Sequence, residues 1–151
     1  MNVRQYLGQI ELMDKRIERK LKELEELYDR ALGVKALAPN ADKVQNSPPQ
    51  DKTAEMIARY ADLEKEIDAM IDEYVRLKNK IIDEIHQLGD VRYEEVLYLK
   101  YVKYMRLEEI ACTMKKSNGD YYSYDHIKRL HGEALKKIEN DVEMPPFDVL
   151  L

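Results

Sequence analysis

Apolar residues recur every seven positions through the first part of the chain. Val3, Ile10, Ile17, Leu24 and Ala31 set the repeat, with Tyr6, Met13 and Leu27 three residues further on and Leu7, Leu21 and Tyr28 four further on. An α-helix turns 100° per residue, so these positions share one stripe and predict a single helix over 3–32, about 45 Å long at 1.5 Å per residue. Glu11, Lys15, Arg16, Glu18, Arg19 and Glu23 lie between the stripes, where ion pairs four residues apart add roughly a few tenths of a kcal/mol each. Gly33 suits a helix stop, and Pro39-Asn40 with Asp42, Asn46 and Ser47 predicts a loop over 33–50. Ser47-Pro48-Pro49-Gln50 reads as a helix start, with Asp51 as the competing cap. A second heptad predicts a helix over 51–88: Tyr60, Ile67, Tyr74, Ile81 and Leu88, flanked by Met56, Leu63, Met70 and Leu77 and by Ile57, Ile71 and Ile85.

Consecutive long helices joined by a loop pack antiparallel, so residues 1–88 are expected to form a coiled-coil-like helical hairpin. Both stripes are wider than one partner helix covers. A lone hairpin would leave Leu7, Leu21, Ile57, Ile71 and Ile85 partly wet. This implies burial between copies of the chain, in a homodimer or higher homo-oligomer, or against the C-terminal part of the same chain. The expected oligomerisation residues are Ile10, Ile17, Leu21 and Leu24 on the first helix, and Ile57, Tyr60, Ile67, Ile71, Tyr74, Ile81 and Ile85 on the second.

Gly89-Asp90 is a natural boundary, after which the pattern changes to short helices. Tyr93 to Val102 carries Val96, Leu97, Leu99, Tyr101 and Val102, a dense apolar set. Leu107, Ile110, Ala111 and Met114 repeat at the spacing of one buried helical face. From Ser123, a capping residue, Ile127, Leu130, Ala134 and Ile138 form one stripe with His131 and Leu135 at its edge. Asp125, Lys128, Arg129, Gly132 and Lys136 fall opposite. Two short helices followed by a longer one with a polar outer face is the helix-turn-helix order.

Val96 to Tyr101, then Leu107-Glu108-Glu109-Ile110-Ala111, then Ser123 to Ile138 resembles the fourth region of bacterial sigma factors, which reads the promoter's upstream hexamer. The resemblance covers about a third of the chain. It is closest to the sigma-like domain of small phage and prophage proteins of Gram-positive bacteria, the ArpU-type late transcription regulators. The run Arg129 to Leu135 and the long N-terminal helices look like that group too. It implies an all-α protein in which the hairpin precedes a small sigma-region-4-like helix-turn-helix domain over 89–139, and a sequence-specific transcription regulator that binds double-stranded DNA. Tyr124, Asp125, Lys128 and Arg129 would then read base edges, while Ser123, Arg106, Lys115, Lys116 and Lys136 would touch the DNA backbone. Two departures stand out. Lys115 to Tyr122 makes a longer turn than the usual two or so residues, with Asn118-Gly119-Asp120 favouring a tight reversal. Lys103-Tyr104-Met105 stands where the family commonly has a glycine. Only the acid at 125 and the cation at 128 keep the usual type, so the target should differ from the sigma hexamer.

The net charge of −5 would suit a DNA-binding protein poorly if it were spread evenly. Residues 1–88 carry 15 Lys+Arg against 18 Asp+Glu, residues 89–139 carry 10 against 9, and residues 140–151 carry none against 3. Only the expected DNA-binding segment is positive, and only by one charge, so binding would rest on specific contacts, dimerisation or a second protein. The acidic tail over 140–151 cannot continue the last helix past Pro145-Pro146. Enzymatic chemistry finds no support: His86, His126, His131 and Cys112 have no metal-ligand spacing, no glycine loop cradles phosphate, and no cofactor or metal is expected. His131 and the single Cys112 are read as packing residues, the latter in a reducing cytoplasm. No signal peptide and no membrane span are expected, which points to a cytoplasmic protein. Two other functions remain open on these residues: a DNA-packaging protein of the small-terminase type, and a coiled-coil adaptor that binds RNA polymerase or another protein.

Overall fold

The computed structural model describes residues 1–37 and 50–143. The expected helix start at Ser47, most of the 33–50 loop and the tail from Met144 lie outside the described residues. Among the described residues the chain is all-helical, with five α-helices and no β-sheet. In order these are α1 (Val3–Leu37), α2 (Gln50–His86), α3 (Val91–Leu97), α4 (Leu107–Ala111) and α5 (Tyr124–Asp141). α3 runs directly into a single wide π-helical turn, Tyr98–Val102. Among the described residues, no helix is long and apolar enough to cross a membrane.

Three boundaries differ from expectation for identifiable reasons. α1 passes through Gly33 to Leu37, because an isolated glycine costs a helix interior only about 1 kcal/mol and does not end it. α3 starts two residues early at Val91, since the Asp90 side chain caps it by accepting from the Arg92 amide at 2.9 Å. α4 stops at Ala111 instead of Met114. The chain turns there, with the Thr113 hydroxyl donating to the Glu109 carbonyl at 2.8 Å and the Met114 amide donating to that of Ile110.

The chain divides into two compact units. One is Met13–Glu73; the other joins Met1–Leu12 to the residues from Tyr74 onward. Within the first, α1 and α2 run antiparallel, as the Lys20 to Glu66 pair at 3.3 Å and the Tyr28 and Tyr60 rings at 6.1 Å require. Ile17 and Ile67 are buried between them, with Leu24 and Tyr60 half-buried. Leu21, Tyr28, Leu32, Ile57 and Ile71 remain exposed, Ile57 the most at 57%. Tyr28, Leu32, Met56 and Ile57 border a shallow apolar groove of about 210 Å³.

In the other unit the wide stripe finds its cover within the chain. Leu7 and Ile85, which a bare hairpin would leave wet, are fully buried, as are Tyr6, Ile10 and Ile81. They share this core with Leu97, Ile110, Met114, Ile127, Leu130 and Ile138, and α5 packs on both α3 and α4. Polar contacts tie the first turns of α1 and the last turns of α2 into the same core. The Tyr6 hydroxyl donates to Glu84 Oε2 at 2.6 Å, and the His86 and Tyr98 rings stack at 6.4 Å. Two backbone positions make the connections sharp. Gly89 takes φ +81° between α2 and α3, and Tyr104 takes φ +59° where the sigma resemblance leads one to look for glycine. The left-handed turn is therefore made without the residue that makes it at least cost.

The π-helical turn brings the Tyr101 hydroxyl to 2.9 Å from His131 Nε2, with the two rings stacked at 5.7 Å. His131 is buried, and burial, reinforced by the charges of Arg4 and Lys100, lowers its pKa from 6.5 to about 4. An unfolded chain binds this proton at a higher pH than the folded one, so stability is complete above pH 6.5 and is lost as the pH falls toward 4. Chemical denaturation should show a loss of up to about 3 kcal/mol across that window, absent from a His131→Gln variant. The same pH dependence in wild type and variant would contradict the assignment.

Candidate nucleic-acid interface

α5 begins at Ser123, whose hydroxyl accepts from the His126 amide at 3.2 Å, while Asp125 in the first turn favours the positive helix end. Ile127, Leu130, His131, Ala134, Leu135 and Ile138 are all buried. That apolar anchoring fixes the helix rotation, so Asp125, Arg129 and Lys136 face outward on one stripe with Lys128 along its edge. Lys128 Nζ lies 5.3 Å from the centre of the Tyr124 ring, and Tyr124 is 40% exposed. Arg129 Nε reaches Glu133 at 3.9 Å, a loose pair on a guanidinium that stays largely in solvent. The four expected readers thus form one contiguous exposed patch.

Before α5 the chain makes the tight reversal suggested by Asn118-Gly119-Asp120. The Lys116 amide donates to the Asp120 carbonyl at 2.8 Å, the Gly119 amide to the Lys116 carbonyl at 3.0 Å, and the Asp120 amide to Asn118 Oδ1 at 3.0 Å. Gly119 sits at φ +88°, and a lone antiparallel bridge joins Lys115 to Tyr121. Each strand of the reversal carries one partner of a cation on a tyrosine: Lys115 on Tyr121 at 5.2 Å and Lys116 on Tyr122 at 5.6 Å. Tyr122 is buried and meets the His126 ring edge-on at 4.8 Å, which packs the reversal onto α5. Tyr121 and Tyr124 stay exposed and border an open groove of about 560 Å³ together with Glu108 and Cys112. Cys112, expected to be packed, is exposed: at helical spacing it falls on the side opposite Leu107, Ile110, Ala111 and Met114.

Of the expected backbone-contacting residues, Ser123, Lys115 and Lys116 lie at or just before the start of α5, and Lys136 lies more than three turns further along the outward face. Arg106 stands at the start of α4, and its guanidinium meets Glu109 at 2.8 Å in a solvent-exposed pair. Sequence reasoning missed Arg92. It lies in the first turn of α3 beside Asp90 at 3.1 Å, with its guanidinium carbon 5.9 Å from the Tyr93 ring. The neighbouring Tyr93 hydroxyl donates to Glu133 of α5 at 3.0 Å, which brings this turn alongside the outward face. Nothing in the local sequence marks that approach, since it depends on how α3 packs against α5. Among the described residues, no three His, Cys, Asp or Glu side chains converge as a metal site would need. Comparison with protein families, with curated proteins and with solved structures returned no match.

Proposed function

We propose that the chain is a sequence-specific DNA-binding transcription regulator of the phage or prophage type, with α3, α4 and α5 as its helix-turn-helix and α5 laid in the major groove. The observation that carries this reading is the division of α5 into a fully buried stripe and an exposed patch of Tyr124, Asp125, Lys128 and Arg129. The patch supplies the side-chain types that recognise base edges. Arginine and lysine pair with the O6 and N7 of guanine, the carboxylate accepts from the amino group of cytosine, and the tyrosine ring packs on a thymine methyl. Ser123 and the free amides of the first turn suit a phosphate, with Lys115 and Lys116 beside it. The weak net charge of residues 89–139 fits a protein that depends on such contacts more than on general attraction to phosphates.

A homodimer accompanies this reading. Leu21, Tyr28, Leu32, Ile57 and Ile71 are exposed on the long helices, where one hairpin alone cannot cover them. Pairing two copies through these positions gives the two-fold symmetry that matches a palindromic site.

Selection of bound duplexes from a random pool at moderate salt tests the reading. One motif should be enriched by the wild type and lost with a Lys128→Ala, Arg129→Ala variant, with Arg129→Ala alone costing about 1–3 kcal/mol on the preferred site. Equal weakening on every sequence would contradict base readout. In sedimentation velocity the protein should run as a dimer that a Leu21→Glu, Ile57→Glu variant converts to monomer. A concentration-independent monomer in the wild type would end the dimer proposal.

A further inference from the structure

One edge of α5 collects cations from three separate parts of the chain. Lys116, from the reversal, and His126, from α5, flank the same buried Tyr122 ring, at 5.6 Å and 4.8 Å from its centre. Arg92, from the first turn of α3, lies on the Tyr93 ring, whose hydroxyl is bonded to Glu133 of α5. Arg129 borders the group through its loose contact with that same Glu133. These cations rest on two rings, Tyr93 and Tyr122, and the like charges of Arg92, Lys116 and Arg129 all bear on the His126 imidazole. Two carboxylates, Asp90 and Glu133, are bonded within this group. Asp90 pairs with Arg92 and is also committed to capping α3, while Glu133 is shared between Tyr93 and Arg129. Both ion pairs are exposed to solvent, where such pairs hold weakly and exchange readily.

From this geometry we infer that Arg92, Lys116 and His126 form a phosphate-binding site, bordered by Arg129, that takes a backbone phosphodiester at one margin of the surface that α5 presents. The inference rests on the DNA-binding reading and extends it to α3. A guanidinium fork, an ammonium and an imidazole N–H, contributed by three segments of the chain, suit a tetrahedral group with several acceptor oxygens better than a planar carboxylate. Tyr93 and Tyr122 hold the cations in place, so little side-chain freedom is lost on binding. On the far margin of the same face, Lys128 on Tyr124 offers a second cation, so positive charge flanks the stripe of Asp125, Arg129 and Lys136.

The site also couples to pH. Partial burial, then the charges of Arg129, Lys116 and Arg92, lower the His126 pKa below its ordinary value, with Glu133 opposing them. An anion seated among these groups reverses that balance and favours the imidazolium. Binding through this site therefore strengthens as the pH falls through the His126 titration.

Two measurements on the full chain test the site. In the first, the His126 imidazole is titrated by NMR in inorganic phosphate and in chloride at equal ionic strength. In the second, duplex affinity is followed against salt for wild type, Arg92→Gln, Lys116→Gln and a Lys137→Gln control, with circular dichroism verifying the fold. Phosphate should raise the His126 midpoint in the wild type and not in Arg92→Gln. Either site variant should weaken all duplexes alike by roughly 5–10-fold and flatten the salt slope by about one, with the control unchanged. A lowered duplex affinity without a response to inorganic phosphate supports a site specific for the diester. A response to inorganic phosphate with no duplex binding supports a free-phosphate site and removes the DNA reading. Site variants that match the wild type in both measurements overturn the inference, and they leave the DNA reading standing if Arg129-dependent selection persists.

Discussion

Burial of the inner stripe of α5 is the constraint on which the rest depends. An 18-residue helix with Ile127, Leu130, Ala134, Leu135 and Ile138 on one side has one rotation in which those groups leave water. Each such side chain contributes about 1.5–3 kcal/mol when fully buried, apart from the smaller alanine, so turning the helix even by one residue is costly. The surface that receives it is composite. α3 and α4 supply part, and Tyr6, Leu7, Ile10, Ile81 and Ile85 bring the first turns of α1 and the last turns of α2 into the same unit. The outward direction of Asp125 and Arg129 is therefore set chiefly by α3 and α4, within a unit that also takes in residues from the far end of the chain.

The second recurring device is the cation held on a tyrosine. The sequence has 11 tyrosines but one phenylalanine and no tryptophan, so all but one of its Phe, Tyr and Trp rings carry a hydroxyl. Lys103 on Tyr98, Lys115 on Tyr121, Lys116 on Tyr122 and Lys128 on Tyr124 all lie within 6 Å of a ring centre. Each contact is worth about 0.5–1 kcal/mol at an exposed site and limits where the ammonium can go. A segment with almost no net charge can in this way still present ordered positive groups on one side.

Much of this was legible because helices announce themselves through period. The two heptads marked α1 and α2, and the stripe from Ile127 to Ile138 marked both the helix α5 and its buried face. Boundaries were less legible where capping and glycine tolerance compete, as at Gly33 and Asp90. What could not be read was which part of each long stripe meets which partner. Leu7 and Leu21 occupy equivalent heptad positions, yet one is fully buried and the other is 44% exposed, because only the first lies in the unit that contains α3 to α5. The same limit hid Arg92, whose place beside α5 is a tertiary fact. The exposure of Cys112 is a matter of helical phase, since its position falls opposite the stripe of Leu107, Ile110, Ala111 and Met114.

The most direct test of the central claim, that the outward face of α5 is where nucleic acid binds, is a backbone amide map of the full chain titrated with short duplex DNA at low salt. The account predicts the largest shifts at Ser123, Tyr124, Asp125, Lys128 and Arg129, joined by Lys115 and Lys116, with the buried stripe little changed. Shifts confined to Met13–Glu73, or a saturating titration that leaves α5 untouched, would contradict it.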